Sequence, residues 1–224
     1  MQAPNHSSER SLAALVIVEA IQLFLVAPLS AEIRVPGWSF LLILTANVTI
    51  VLAVVWRRPI AVVAVLLGTL MEVAAVASRM FKPSGQTEAL DFAAALILLV
   101  ALTVVLAMTV FGPGRVTVYR IVGAIAIYLN IASAFALAYR MIASLKPDAF
   151  ASSAGALTPN HLLPTLVYYS FTTLTTTGYG DIVPLDPFVR SVSNLESVIG
   201  QLFPATLLAR LITLEIEHRR GERP

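Results

Sequence analysis

Residues Thr172–Asp181 read TTLTTTGYGD. The run gathers hydroxyls, two glycines and an acid between an apolar stretch that carries Tyr168-Tyr169 and a second that ends in a basic tail. The chain around it is apolar: of 224 residues, 58% are hydrophobic, 12% are charged and none is cysteine. A soluble domain carries about twice that charged fraction. Several runs are long enough to cross a hydrocarbon core, which takes about 20 apolar residues. The composition predicts an integral membrane protein, and the polar run is the part that needs a reason. The formal charge of +2 is small, so its distribution matters more than its total. Without cysteine there is no disulfide and no cysteine-based metal motif. His6, His161 and His218 lie in separate segments without ligand-spaced partners, which argues against a metal site.

Six spans are expected, at Ser11–Leu29, Trp38–Trp56, Ile60–Ala77, Ala89–Phe111, Val118–Ala143 and Phe188–Glu215. The shorter apolar segment Leu163–Thr175 cannot span as a helix at about 1.5 Å per residue. It reads as re-entrant, which is tolerated where protein or a water-filled cavity surrounds it. The first span has Arg10 before it and small residues after it, as a signal peptide would. Leu29 is a poor residue three positions before a cut and Glu19 interrupts the apolar core, so a retained helix is expected. The Arg57-Arg58 pair and the basic tail weigh most in the charge distribution. They put both termini on the cytoplasmic side, and Asp181 on the outer side. Trp38 and Trp56 flank the second span as an interfacial belt would. Ser144–Leu162 reads as an exposed loop, no internal repeat is evident, and no sizeable domain is expected after Glu215.

Glycine tolerates dihedrals that other residues avoid. Glycines alternating with other residues allow a strand whose carbonyls all point to one side, and four such strands around an axis make stacked rings of oxygens. Such rings can replace the hydration shell of a potassium ion. A helix over Pro164–Thr175, with Pro164 in its first turn, would aim its negative C-terminal end at the cavity below and favour a cation there.

Thr175-Thr176-Thr177-Gly178-Tyr179-Gly180-Asp181 resembles the selectivity-filter signature of the potassium channel superfamily, with Thr177 in place of the usual valine. The resemblance covers about Arg120–Glu215, a helix–pore loop–helix module. It implies that K+ binds at Thr176, Thr177, Gly178 and Tyr179, with Gly180 completing the filter. It implies that Tyr168-Tyr169 are the paired aromatics packed around the filter and that Asp181 is the acid of the outer mouth. Pro184 fits the post-filter turn, and Gly200 the inner-helix hinge. Many relatives carry a glutamate, hydrogen-bonded to the mouth aspartate, where this chain has Thr172. That contact is therefore expected to be absent here.

Outside the filter, Ala89–Phe111 holds Asp91 and no Lys or Arg. A conventional voltage sensor moves several basic residues through the field, each contributing about 2.3 kcal/mol per 100 mV, so none is expected. Glu196, one turn before Gly200 and inside the last span, reads either as a structural hydrogen bond to the pore-helix threonines or as a proton-sensitive part of the gate. Gly200 and Pro204 mark the expected bend, although Gly200 also suits close helix packing. Glu19 and Glu72 are read as interhelical pairing or snorkelling to the interface, with Arg79 about two turns after Glu72 and ligand sensing as the other reading. Arg210 and Arg219-Arg220 are read as an interfacial anchor.

The expectation is an all-α membrane protein of six transmembrane helices plus a re-entrant pore helix and filter. Residues 1–112 form a four-helix region and residues 113–224 the pore domain. The expected function is potassium-selective passive conduction by a homotetramer, multi-pass in the plasma (cell inner) membrane and in contact with lipid. No cofactor other than the permeant K+ and no nucleic-acid partner are expected. An enzyme is not expected, since no nucleophile–base constellation or phosphate loop is present. The alternative is a non-conducting regulatory or scaffolding subunit that uses the same fold.

Overall fold

The computed structural model describes residues 6–32, 48–49, 52, 59–82, 84–112, 118–153, 155 and 157–221. It is mostly helical. A first helical run consists of α1 (His6–Ile21), a π-helical turn (Gln22–Val26) and α2 (Ala27–Glu32). Four longer helices and one shorter one follow as α3 (Pro59–Phe81), α4 (Gly85–Val110), α5 (Val118–Leu145), α6 (Pro159–Leu174) and α7 (Pro187–Gly221). Two three-residue strands, β1 (Phe150–Ser152) and β2 (Ile182–Pro184), add a small element that the all-α expectation lacks.

Two helices among the described residues are long and apolar enough to cross a membrane: Gly85–Met108 of α4 and Arg120–Leu145 of α5. The expected span Trp38–Trp56 lies almost entirely outside the described residues. The expected span Ser11–Leu29 is a shorter apolar helix, Ala13–Leu29. Its regular hydrogen bonding is interrupted by the π turn, with Pro28 just beyond it. A proline has no N–H to give and displaces the carbonyl four residues earlier, here Phe24 inside that turn.

The start of α4 is fixed locally. Ser84 is extended and caps the helix, its hydroxyl accepting from the Thr87 N–H while Thr87 accepts from the Ser84 N–H. This reciprocal pair satisfies two donors that a helix start leaves open. It closes the hairpin between α3 and α4, which pack so closely that a Cβ on Gly68 would lie 2.8 Å from Leu98 Cδ1. Arg79 near the end of α3 bridges to Asp91 near the start of α4 at 2.8 Å. Arg79 thus pairs across the hairpin with Asp91, and Glu72 Oε2 is left without a hydrogen-bond partner.

Helix α5 joins two cores. In the first, Leu15 of α1, Val65 of α3 and Leu98, Leu102 and Leu106 of α4 pack against Ala124 and Ile127 of α5. In the second, Tyr139 and Ala143 of α5 pack against Phe150, Leu166, Tyr169, Ile182 and Val189 beside the TTTGYGD run. Ile97, Val100, Val104 and Met108 form a stripe on the opposite face of α4 and are exposed. An apolar stripe at that spacing, turned away from the core, suits contact with lipid.

The segment expected as a loop, Ser144–Leu162, is partly ordered. A 3-10 turn (Pro147–Ala149) leads into β1, which pairs antiparallel with β2 in the register Phe150↔Pro184, Ala151↔Val183 and Ser152↔Ile182. The Ser153 N–H donates to the Asp181 carbonyl at 2.8 Å and the Leu185 N–H to Ala149 at 2.8 Å. This ribbon clips the segment before α6 to the segment after the TTTGYGD run. The following helix is started by Asp186, whose Oδ1 accepts from Phe188 N–H at 2.8 Å, with Pro187 in the first helical position. An aspartate cap followed by proline is a strong helix start.

Candidate functional site

The site is the end of α6 and the five residues that leave it. The helix is longer than the sequence suggested. It begins at Pro159 after Thr158, so Pro159 takes the first-turn position assigned to Pro164, which falls one turn further in. At the other end, the Thr172 carbonyl accepts two hydrogen bonds, from Thr177 N–H at 2.8 Å and Gly178 N–H at 3.1 Å. The chain therefore doubles back directly off the last turn. Thr175 and Thr177 hydroxyls meet at 2.9 Å.

Beyond that turn the backbone alternates. Thr176, Gly178 and Gly180 have φ of 57°, 54° and 77°, while Thr177 and Tyr179 between them do not share this positive φ. Peptide units between residues of alternating hand turn their carbonyls to the same side. Glycine adopts the left-handed region at no steric cost, and Thr176 is the described non-glycine residue with positive φ. Its hydroxyl accepts from Gln201 Nε2 of α7 at 2.9 Å, a partner the sequence reading missed. All five residues Thr176–Gly180 are exposed in the single chain.

The two tyrosines of α6 divide their work. The Tyr168 ring stacks on Tyr179 with centroids 6.3 Å apart and planes parallel within 1°, and its hydroxyl faces Asp181. Tyr169 turns away from the TTTGYGD run of its own chain. It is buried against Tyr139 and Phe150, with centroids at 5.2 and 5.5 Å, and its hydroxyl meets Ser193 at 2.7 Å. Consecutive helical residues point about 100° apart, so both rings cannot face one neighbour. Asp181 accepts from the Ile182 N–H at 3.1 Å. The Thr172 hydroxyl returns to the Tyr169 carbonyl of its own helix at 2.9 Å. Thr172 thus holds the turn into Thr177-Gly178 through its backbone carbonyl.

Helix α7 backs α6 along one face. Ser193 meets Tyr169, Glu196 meets Ser170, the Ser197 hydroxyl donates to the Thr173 carbonyl at 3.3 Å, and Gln201 reaches Thr176. Between them Gly200 lies against the end of α6, where an added Cβ would sit 1.8 Å from the Leu174 carbonyl oxygen. Of the two roles the sequence allowed Gly200, the structure displays close packing. Pro204 lies inside α7, one turn beyond. The partners of Glu196, Ser170 and Tyr139, were not singled out from sequence. The spacing Ser193, Glu196, Ser197, Gly200, Gln201 follows the helical period and carried the signal: a narrow polar stripe on an otherwise apolar helix.

Outside the spanning segments, Lys146 and Asp186 form an ion pair at 2.7 Å. The hydrogen bond from Lys146, with those from the Phe188 and Val189 N–H groups, holds the Asp186 carboxyl below its ordinary pKa. Among the described residues no group of three or more His, Cys, Asp or Glu is placed to hold a metal ion.

A family model described as ion channel matches residues 125–216, from the middle of α5 into the last turns of α7. No curated protein and no solved structure matches the chain significantly.

Proposed function

We propose, from the match of residues 125–216 to an ion channel family model, that the chain is a potassium-selective channel that conducts K+ passively as a homotetramer. The family is one of ion channels and not of enzymes, and the apolar spans make this a membrane protein. The observation that carries the potassium reading is the alternation of left-handed backbone at Thr176, Gly178 and Gly180. Four copies of such a strand around one axis give stacked rings of carbonyl oxygens at Thr176, Thr177, Gly178 and Tyr179, closed on the inner side by the Thr176 hydroxyl. Rings of that kind substitute for the water around K+. K+ is the permeant ion, and the cycle involves no covalent chemistry.

The remaining groups fit the same reading. The C-terminal end of α6 points its partial negative charge at the cavity below the filter. Asp181 stands at the outer mouth and draws cations toward it. The proposed setting is the plasma membrane, with lipid against the outward faces of α3 and α4 and both termini cytoplasmic.

The test is flux from purified full-length protein in lipid vesicles, with reversal potentials measured in mixed potassium and sodium solutions. The expected result is a potential that follows the potassium gradient. Absence of flux, or equal passage of both ions, overturns the reading.

A further inference from the structure

Behind the filter, the Glu196 carboxyl of α7 is fully buried and both of its oxygens are engaged. Oε1 meets the Ser170 hydroxyl of α6, and Oε2 accepts from the Tyr139 hydroxyl of α5 at 2.6 Å. The Ser170 hydroxyl also lies 2.7 Å from the Ala132 carbonyl oxygen of α5. Next to this set, the Tyr169 and Ser193 hydroxyls are 2.7 Å apart, Ser193 Oγ is 2.9 Å from the Val189 carbonyl, and Tyr139 is 3.2 Å from Ser193 Oγ.

These contacts can be counted against hydrogens. A hydroxyl carries one hydrogen, and a carbonyl or ionised carboxylate oxygen only accepts. Tyr139, Tyr169, Ser170 and Ser193 together supply four hydrogens to six contacts. With Glu196 ionised, the Ser170 hydrogen serves either Ala132 or Glu196, and two buried acceptor oxygens face each other across the other contact. A carboxylic acid adds the fifth hydrogen. Glu196 then donates to Ser170, Ser170 to Ala132, Tyr139 to Glu196, Tyr169 to Ser193 and Ser193 to Val189. The contact left without a hydrogen is the longest of the set, at 3.2 Å. The titratable groups that face Glu196 are Tyr139 and Tyr128 of α5 and Tyr169 of α6, none of which is a cation that would stabilise a carboxylate there.

We propose that Glu196 is held as a neutral carboxylic acid, donating its proton to Ser170 and accepting from Tyr139, and that in this form it is a positioning residue for the filter. It fastens α6 to α5 and α7 at Ser170, two residues before Thr172, whose carbonyl holds the N–H groups of Thr177 and Gly178. The same face of α7 carries Gly200 and Gln201 to Leu174 and Thr176 one turn further on. The seating of α7 thereby sets where the filter strand begins. The role in selectivity rests on the proposed function; the position of the proton rests on the hydrogen-bond geometry alone.

The experiment has a spectroscopic arm and a transport arm, both on the full chain in lipid vesicles. Infrared spectra at neutral pH are expected to contain a protonated carboxylic acid carbonyl band that is lost in Glu196→Gln. Glu196→Gln, whose amide places one donor and one acceptor in the same positions, is expected to keep the native potassium-to-sodium permeability ratio. Glu196→Ala and Ser170→Ala, which leave buried partners open, are expected to lower that ratio by about tenfold or more. At alkaline pH, selectivity of the native chain is expected to decline while that of Glu196→Gln does not, since ionisation of the tyrosines is common to both. Infrared spectra in which Glu196→Gln loses no such band overturn the proposal. So does a Glu196→Gln protein as unselective as Glu196→Ala. Because the infrared arm requires no conduction, a native chain without potassium flux overturns the proposed function while the band still decides the protonation of Glu196.

Discussion

Thr176 and its two glycine neighbours show how differently one backbone demand can be met. All three sit at positive φ. Thr176 bears a Cβ penalty of roughly 1–2 kcal/mol, and is held there by the Thr177 turn on Thr172 and by Gln201. Gly178 and Gly180 avoid that penalty, and nothing lies within 4 Å of where their Cβ atoms would be. An alanine at either position therefore acts through its dihedrals and not through a clash. Gly178→Ala or Gly180→Ala is expected to abolish selective potassium flux, since roughly 1–2 kcal/mol is added in every chain of the assembly; a Gly178→Ala protein with native reversal potentials would contradict this. Gly200→Ala is expected to fail for the opposite reason. Its Cβ meets the Leu174 carbonyl at 1.8 Å, so α7 must move off α6. The measurement is thermal unfolding of the detergent-solubilised protein, where the midpoint should drop clearly against the native chain, and an unchanged midpoint would remove the close-packing role. The turn through Thr176–Gly180 was legible because its glycines are tied to rare dihedrals. The division between Tyr168 and Tyr169 was not, since the resemblance pairs them while helical geometry separates them.

At the level of elements, α4 was legible in existence and at its C-terminal end, because its apolar run is long, whereas its start, expected at Ala89, lies about one turn earlier at Gly85, after a Ser84 cap that the sequence reading did not use. The start of α6 was misjudged by about one turn. Both Pro159 and Pro164 satisfy the rule that proline suits a first turn, and only the fold around Thr158 chooses between them. The charges of the front helices also resisted reading. Arg79 pairs with Asp91, and Arg140 of α5 pairs with Glu88 of α4 over the Phe92 ring, 4.7 Å from its centroid. These pairs lock arginines at helix ends, and α4 itself carries no Lys or Arg. Gating-current recordings on the channel are therefore expected to detect no charge movement from α3 and α4. A steep open-probability curve equivalent to several charges per chain would contradict that. The start of α7 gives a pH prediction. Asp186 titrates below its ordinary value because Lys146 and two backbone N–H groups favour the carboxylate. Its contribution is present above the ordinary aspartate pKa of about 3.9 and is lost as pH falls through the lower folded value. Acidification in that window is expected to loosen the outer end of α7, read as faster amide exchange at Phe188 and Val189. Asp186→Asn should exchange fast at all pH values, and a native-like slow rate in that variant would show the cap to be idle.

At the scale of the whole molecule, Thr176–Gly180 stand exposed beside α6 in the single chain, and in the proposed homotetramer one strand would supply one quarter of an oxygen ring. Helix α7 buries Glu196 against α5 and α6 and leaves Asn194 and Gln201 exposed in the single chain. Exposed polar positions of this kind suit the lining of a water-filled cavity between subunits. In the proposed tetramer, four copies of the chain related by rotation about the filter axis would bury the filter, cover the exposed Tyr179 and put Asn194 and Gln201 toward the common cavity. Cyclic symmetry of this kind makes every subunit equivalent, so one defective strand interrupts every ring it joins. The native assembly is expected to have a protein mass of four times the 24.0 kDa chain in detergent. Equal co-expression of the native chain with Gly178→Ala is expected to leave about one sixteenth of the channels fully native, if subunits mix at random in fours. Potassium flux per protein should fall to roughly that fraction, far below the half expected of independent monomers. A residual flux near one half, or a measured mass of one or two chains, would show that each chain acts without the symmetry that the exposed filter strand requires.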